Sequence, residues 1–279
     1  MLKSVDHLII AVEDLDEASA NYEIIIGNPP VWNGEHKEFG TKNALFNFQN
    51  TYLELLAVGG EGIGADLVKH TLANKGEGLN GIVFGTSDIN QLSNTLKKSS
   101  FNLPNPSPGE GVNSDNGEKR TWVNQFLVPE LSRGLFSFII EHTGGELPLA
   151  EKYDDSSVHR LDHVVISTND AEGFIRTYKD TFKIRLALDK FVEHWQKRML
   201  FFRLNKTTIE VIEEQNDNEP KDILWGLAWN VKDIEAARKR LISHGVNVTQ
   251  IKKGVKEGTL VMTVNSNVHN VPTLFIQHN

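Results

Sequence analysis

Hydrophobic residues along the chain form short runs, and four of these runs, at 5–12, 79–86, 160–168 and 224–231, are each followed by a helical stretch that starts at an aspartate. The first run, from Val5 to Val12, is brief, aliphatic and bounded by acidic residues, which favours a strand over a helix. Asp14 and the acidic residues behind it predict a helix start, and Gly27 predicts the helix end. Three short strand candidates follow, at 35–40, 43–48 and 51–57. The unit therefore reads β-α-β-β-β.

This first unit returns later in the chain at a constant offset of 156 residues. His7 recurs as His163, and Glu54 recurs as Glu210. Other identical pairs keep the same offset: Asp14 and Asp170, Tyr22 and Tyr178, Phe46 and Phe202, Thr51 and Thr207. A shared register of this length indicates a duplicated structural unit.

Two diverged units complete the pattern, and four related modules thus cover nearly the whole chain. We predict a first domain at 1–145, a second domain at 158–279 and a linker at 144–157, since two domains suit this chain length. The modules lie at 1–58, 79–143, 160–213 and 222–279.

Some stretches predict particular local structure. The prolines and glycines of 102–119 predict a long polar loop, and the glycines of 59–64 predict a connector that could also cover a pocket. We expect one helix over 170–182 and a strand over 246–252.

Composition narrows the function classes. The formal charge of −8 argues against a general nucleic-acid binder, because phosphate binding needs a basic face. The chain has no cysteine, so disulfides and thiolate chemistry are excluded, which suits a reducing cytosol. It shows neither a signal peptide nor an apolar run long enough for a membrane helix, so we expect a cytoplasmic protein without a membrane partner.

The residues that open and close the modules resemble a known family. Asp6-His7 opens the first strand and Asp162-His163 opens its repeat, while the closing strands read Tyr-Leu-Glu-Leu-Leu from Tyr52 and Thr-Ile-Glu-Val-Ile from Thr208. The chain thus resembles the vicinal oxygen chelate superfamily, which includes glyoxalases, bleomycin resistance proteins and extradiol dioxygenases. The resemblance implies an α+β fold of four βαβββ modules, paired into two cup-shaped glyoxalase-like domains.

Polar residues among aliphatic ones point to a site in each domain. Side chains alternate along a strand, so His7 shares a face with Val5 and Ile9. Each polar group is costly to bury alone, but together imidazole nitrogen and carboxylate oxygen suit a divalent cation. Their spacing of 47 residues is the same in both copies. The resemblance carries the metal-ligand role to His7 and Glu54, and to His163 and Glu210.

The paired modules offer fewer ligands. Where the family pattern places another ligand, this sequence has Gly81 and Gly226. The last strands offer Glu141 and Gln277, with His142 and His278 expected on the opposite face. We therefore expect two metal sites, made of His7, Glu54 and Glu141 in the first domain and of His163, Glu210 and Gln277 in the second.

The function that this resemblance implies is a lyase or isomerase acting on a small oxygen-rich substrate. A divalent ion, Zn, Ni, Mn or Fe, would stabilise the developing negative charge while Glu141 or Glu54 moves a proton. Two alternatives stay open: a non-catalytic protein that binds or sequesters a small molecule, and an extradiol-type dioxygenase, which needs a second histidine and iron. A homodimer is also open. Three arginines could meet an anionic substrate in a cup, although solvated strand positions are the more common case: Arg120, Arg133 and Arg203.

Overall fold

The computed structural model describes residues 1–150, 153–193, 195–216 and 218–278. Within these residues, strands form two eight-stranded sheets with helices packed outside them. The expected α+β fold of cup-shaped sheets is confirmed. In the part of the chain that is described, no helix is both long enough and apolar enough to cross a bilayer.

The first sheet is built from the first half of the chain. Its strands are β1 Leu2–Ala11, β2 Trp32–His36, β3 Thr41–Asn47, β4 Tyr52–Val58, β5 Gly78–Thr86, β6 Ser107–Asn113, β7 Lys119–Phe126 and β8 Phe136–Gly144. The accompanying helices are α1 Leu15–Ile26, α2 Ile63–Lys75, α3 Ile89–Lys98 and α4 Pro129–Ser132. In the order β1-β4-β3-β2-β6-β7-β8-β5 the strands close into a barrel.

The second sheet uses the second half of the chain and does not close. Its strands are β9 Val158–Thr168, β10 Arg185–Val192, β11 Lys197–Leu204, β12 Thr207–Glu213, β13 Asp222–Val231, β14 Lys252–Lys253, β15 Thr259–Val264 and β16 Thr273–His278. The helical segments are α5 Ala171–Ile175, a π-helix Arg176–Thr181, and α6 Ile234–Ser243. The order is β10-β11-β12-β9-β13-β16-β15-β14, so β10 and β14 lie at the two edges.

Helix starts are set by aspartates at matching positions. Asp14 accepts hydrogen bonds from the N–H groups of Asp16 and Glu17, and Asp170 accepts one from Gly173. These contacts satisfy backbone donors that a helix leaves free at its N-terminus. Asp14 and Asp170, at which the sequence predicted helix starts, are therefore capping residues.

Three local predictions need correction. The predicted loop at 102–119 contains strand β6, which pairs with both β2 and β7 and closes the barrel. The helix expected over 170–182 changes from α to π geometry at Arg176. Of the strand expected over 246–252, only an isolated bridge at Val248 and the first residue of β14 pair with β15.

Both sheets contribute to one continuous hydrophobic core. Phe48 packs on Trp229 with ring centroids 4.8 Å apart, and Phe84 contacts Phe182 at 6.4 Å. In the predicted linker, Tyr153 donates a hydrogen bond to the carbonyl of Asn47, while residues 151 and 152 lie outside the described residues. The two halves therefore pack against each other through apolar surface that neither half buries alone.

Candidate small-molecule site in the first barrel

The first barrel holds a cavity of about 430 Å³. Most of its wall is apolar, and the aromatic members are Trp32, Phe39, Tyr52, Trp122, Phe126, Phe136 and Phe138. Helix α2, which follows the predicted glycine-rich connector, covers part of it with Leu67 and Val68. The main polar groups are His7, His36, Asn43, Glu54 and Arg120. A cavity of this size with few polar groups is typical of small-molecule sites.

A one-residue bulge in β1 shapes the polar part of the cavity. Val5 pairs with Phe84 and His7 pairs with Val83, so Asp6 is the extra residue of the bulge. Val5 therefore packs in the core whereas His7 lines the cavity, and the predicted shared face of these two residues is wrong.

His7 and Glu54 meet in the cavity. The Nε2 atom of His7 lies 3.5 Å from Oε2 of Glu54, and the two side chains are only 3% and 8% exposed. Nδ1 of His7 lies 2.8 Å from Asp6 Oδ1, and a carboxylate partner there assigns the proton to Nδ1. Asn43 donates a hydrogen bond of 2.6 Å to Oε1 of Glu54. The imidazole and the carboxylate are thus each fixed by a further group.

Asp6 links the His7–Glu54 pair to His142, which lies nearer the surface. His142, which is about one-third exposed, places its Nε2 atom 3.1 Å from Oδ2 of Asp6. Burial raises the pKa of Asp6, but the hydrogen bonds and charges of His142 and His7 outweigh burial and hold that pKa well below its usual range. Asp6 is therefore ionised at neutral pH and links the two imidazoles.

Two further polar side chains adjoin the pair. Tyr52 stacks on His7 with ring centroids 4.4 Å apart, and burial raises the pKa of Tyr52 well above its usual range. Burial lowers the pKa of His36, so this imidazole is neutral at pH 7. His36 Nδ1 lies 3.0 Å from the Thr41 hydroxyl.

Glu141 lies outside this site, and the predicted placement of Glu141 and His142 on their strand must be reversed. The carboxylate of Glu141 accepts a hydrogen bond of 2.8 Å from the N–H of Ile89, in the first turn of α3. Phe136, Phe138 and Ile140 line the cavity, so His142 follows on their face and Glu141 points to the helix. The three expected ligands of the first domain are therefore not brought together.

The second sheet repeats the polar chain in a more open setting. His163 Nε2 lies 3.6 Å from Glu210 Oε2, with side chains 16% and 17% exposed, and His163 Nδ1 lies 2.9 Å from Asp162. His278 Nε2 lies 2.5 Å from Asp162 Oδ2. Burial lowers the pKa of His163, but Asp162 and Glu210 outweigh it and raise that pKa.

Gln277 repeats the role of Glu141. Its side-chain oxygen accepts a hydrogen bond of 2.9 Å from the N–H of Ile234 in the first turn of α6. The expected third ligand of the second domain therefore also points to a helix, and only His163 and Glu210 of that set come together.

The donor set of the first cavity does not complete a metal centre. His7 and Glu54 supply one nitrogen and one oxygen, whereas catalytic metal sites commonly hold the ion with about three protein ligands. Among the described residues, no group of three or more His, Asp or Glu side chains is arranged to hold a metal ion. His36, which also lines the cavity, therefore does not complete a metal site with His7 and Glu54. Strand β8 contributes the apolar side chains of Phe138 and Ile140 to the cavity and no ligand. The divalent ion implied by the resemblance stays a prediction.

The two glycines at the expected ligand positions have structural reasons. A Cβ at Gly81 would lie 2.9 Å from the Phe136 ring, and one at Gly226 would lie 2.7 Å from the carbonyl oxygen of Pro272. Both distances are too short for a side chain without local movement, so close packing accounts for these glycines.

The three arginines named from the sequence have different surroundings. Arg120 lies in the cavity wall, Arg133 forms ion pairs with Asp170 and Asp222, and Arg203 is exposed and donates to Thr208. His36 and Asn43 were not identified from the sequence, because neither repeats at the 156-residue offset. No local signal distinguishes them from ordinary strand residues.

Comparisons with known proteins agree with this architecture. The family model described as a glyoxalase-like domain matches residues 5–182, and the model of the glyoxalase/bleomycin resistance protein/dioxygenase superfamily matches residues 162–263. No curated protein matches the sequence.

Solved structures show the same fold at low sequence identity. A mutant of 4-hydroxymandelate synthase from Streptomyces coelicolor has a TM-score of 0.72 at 14% identity, over 100% of this chain and 93% of that chain. A hypothetical protein from Staphylococcus aureus has a TM-score of 0.66 at 14% identity, over 99% of both chains. The Mn(II)-bound glyoxalase from Novosphingobium aromaticivorans has a TM-score of 0.65 at 13% identity, over 99% of this chain and 83% of that chain.

Proposed function

The chain belongs to the glyoxalase-like domain family of the vicinal oxygen chelate superfamily, and we propose that its first barrel binds a small organic molecule and moves a proton on it. The observation that carries the proposal is the buried His7–Glu54 pair in an otherwise largely apolar cavity. A carboxylate and an imidazole within reach of each other and of a bound molecule are suited to acid–base chemistry, because both side chains can accept and pass on a proton.

The contacts of Glu54 and His7 assign a role to each residue. Glu54 acts as the base that accepts a proton, at Oε2, from a carbon next to a carbonyl group of the bound molecule. Asn43 holds the other carboxylate oxygen, which keeps Oε2 directed at His7. His7 then takes the proton at Nε2, since Asp6 holds its Nδ1–H, and returns it to the substrate. The proposed reaction type is isomerase or lyase.

Exchange of substrate protons for deuterium tests the proposal. Benzoylpropionate and butyrophenone are aryl ketones with exchangeable protons, and only the first carries a carboxylate. In deuterium oxide the protein should speed deuterium uptake next to the carbonyl of at least one of them, as followed by NMR. Glu54→Gln should slow this exchange by roughly 100-fold or more, because the amide is not a base.

The duplicated pair provides a matched control. Glu210→Gln makes the same change in the second sheet and should leave the exchange rate as it is, because the second sheet is open and its pair is more exposed. The chelator EDTA should also leave the rate unchanged, because no step of the proposal uses a metal ion. Exchange that is equally fast with Glu54→Gln would contradict the proposed base.

A binding protein without catalysis is the second candidate. It is favoured by strand β8, whose Phe136, Phe138 and Ile140 line the cavity with apolar side chains and add no second reactive group to the His7–Glu54 pair. In that case calorimetry would show that benzoylpropionate or butyrophenone binds, while exchange in deuterium oxide would run at the rate of the protein-free solution.

A further inference from the structure

Arg120 is a buried cation without a charged partner. Its side chain lies in the wall of the first cavity and the residue is 6% exposed. Among the described residues, no carboxylate oxygen lies within 4.0 Å of its guanidinium nitrogens, and its Nε–H has no hydrogen-bond partner. Burying an unpaired charge is costly, so a bound anion that pairs with this cation would be stabilised.

The acidic groups of the cavity are already engaged. Glu54 is held by Asn43 and faces His7, while Asp6 is shared between His7 and His142. Neither carboxylate is available to neutralise Arg120. Arg133 differs from it, because the largely buried guanidinium of Arg133 forms ion pairs with Asp170 and Asp222.

Aromatic rings hold Arg120 in place. The guanidinium carbon lies 5.8 Å from the centroid of the Trp32 ring and 5.4 Å from that of Tyr52. Guanidinium groups stack well on aromatic faces, and a planar fork held in this way matches the two oxygens of a carboxylate. The site is thus preorganised for an anion without supplying one.

From these contacts we infer that the molecule bound in the first barrel is an aromatic monocarboxylate whose carboxylate pairs with Arg120. This inference rests on the proposed small-molecule site and specifies its ligand class. One arginine favours a single negative charge over a doubly charged phosphate, and the rings of Trp122, Phe136 and Phe138 offer apolar contact to an aromatic body.

Matched acid and amide probes test the charge requirement. The acids are phenylacetate, hydrocinnamate and naphthylacetate, each compared with its primary amide by isothermal titration calorimetry at pH 7. For at least one pair the wild-type protein should bind the acid roughly 10- to 100-fold more tightly than the amide, the range expected of hydrogen bonds to charged groups.

Variants locate that preference. Arg120→Gln should abolish the preference for the acid while keeping amide binding, and Arg120→Lys should retain part of it because the charge remains. Arg203→Gln, on an exposed strand position of the second sheet, should bind like the wild type. Thermal unfolding followed by circular dichroism confirms that each variant is folded.

The outcomes distinguish this inference from the proposed function. Equal binding of acid and amide by the wild type, an acid preference that persists in Arg120→Gln, or no binding of any acid would overturn the inference about Arg120. None of these results depends on proton transfer, which is measured by the effect of Glu54→Gln on deuterium exchange. Charge preference and proton transfer can therefore fail separately.

Discussion

The polar side chains of the first cavity are held by one another. Asp6 fixes His7, Asn43 fixes Glu54, and His142 holds Asp6 from the more exposed side. Low polarity around such a chain strengthens each hydrogen bond, and it also makes an unpaired member costly. Among the described residues, Arg120 is a charged side chain of this cavity without an ion-pair partner, and this contrast is the basis of the ligand class inferred above.

A variant of Glu141 tests whether this residue lies outside the catalytic site, as its contacts indicate. Glu141→Gln should leave the deuterium-exchange rate of the first barrel unchanged, because the carboxylate contacts α3 and not the cavity. Stability should change by less than about 1 kcal/mol in urea unfolding, since an amide oxygen can accept the same bond from Ile89. Gln277 already accepts the corresponding bond in the second sheet. A loss of exchange comparable to that of Glu54→Gln would return Glu141 to the catalytic site.

Strand alternation predicted part of this site and misplaced the rest. The His7–Glu54 pair was predictable, because its spacing recurs with His163 and Glu210. The orientation of Glu141 and His142 was not, because alternation defines two faces without stating which face lines the cavity. Bulges such as that at Asp6 add to the problem, since one extra residue reverses the alternation and leaves no mark in the hydrophobic pattern.

Elements were predictable where local sequence and long-range pairing agree. Strand β6 was missed because Pro108, Gly109 and Gly111 are typical of loops. The segment nevertheless forms a strand because it pairs with both β2 and β7. Its glycines also leave space for Trp122, since a Cβ at Gly109 would lie 2.4 Å from the indole nitrogen. The glycines that resemble loop residues therefore make room for a cavity wall, which only the folded barrel reveals.

Asp170, which caps α5, makes the stability of the protein depend on pH. Burial raises the pKa of Asp170, but the Gly173 N–H and the Arg133 guanidinium outweigh burial and lower it. A carboxyl group with a lowered pKa in the folded state stabilises the protein above its ordinary pKa, about 4, and that stabilisation is lost as the pH falls below it.

Asp170→Asn isolates this effect, because asparagine caps a helix as well as aspartate but carries no charge. The variant should lose roughly 1 kcal/mol at pH 7, and its free energy of unfolding should fall less than that of the wild type between pH 5 and pH 3. Urea unfolding at several pH values measures both. Asp14→Asn is the matched control, since Asp14 caps α1 without an ion pair among the described residues. Equal pH profiles for Asp170→Asn and the wild type would contradict the assignment.

The whole molecule is held together by contacts between its two halves. The aromatic contacts of the shared core cross from one half to the other, and Asn50 exchanges hydrogen bonds with both the N–H and the carbonyl of Leu161. The four-module pattern predicted two similar sheets. It could not predict this interface or the closure of only one sheet, because both depend on pairing between residues far apart in the sequence.

Arg133 lies at that interface, where it pairs with two aspartates of the second half of the chain. Its guanidinium lies 2.7 Å from Asp222 and 3.2 Å from Asp170, and the Asp222 side chain is fully buried. Arg133→Met would leave a buried carboxylate without its partner, so the free energy of unfolding should fall by roughly 3 kcal/mol or more.

Arg198→Met is the matched control, because Arg198 also contacts two carboxylates, Asp189 and Glu172, but these are 38% and 64% exposed. Its loss should stay below about 1 kcal/mol, since water screens exposed pairs and competes for the same groups. Urea unfolding followed by circular dichroism compares the two variants. If Arg133→Met costs no more than Arg198→Met, the charge pairing does not stabilise the interface, and the apolar contacts between the halves hold the molecule together by themselves.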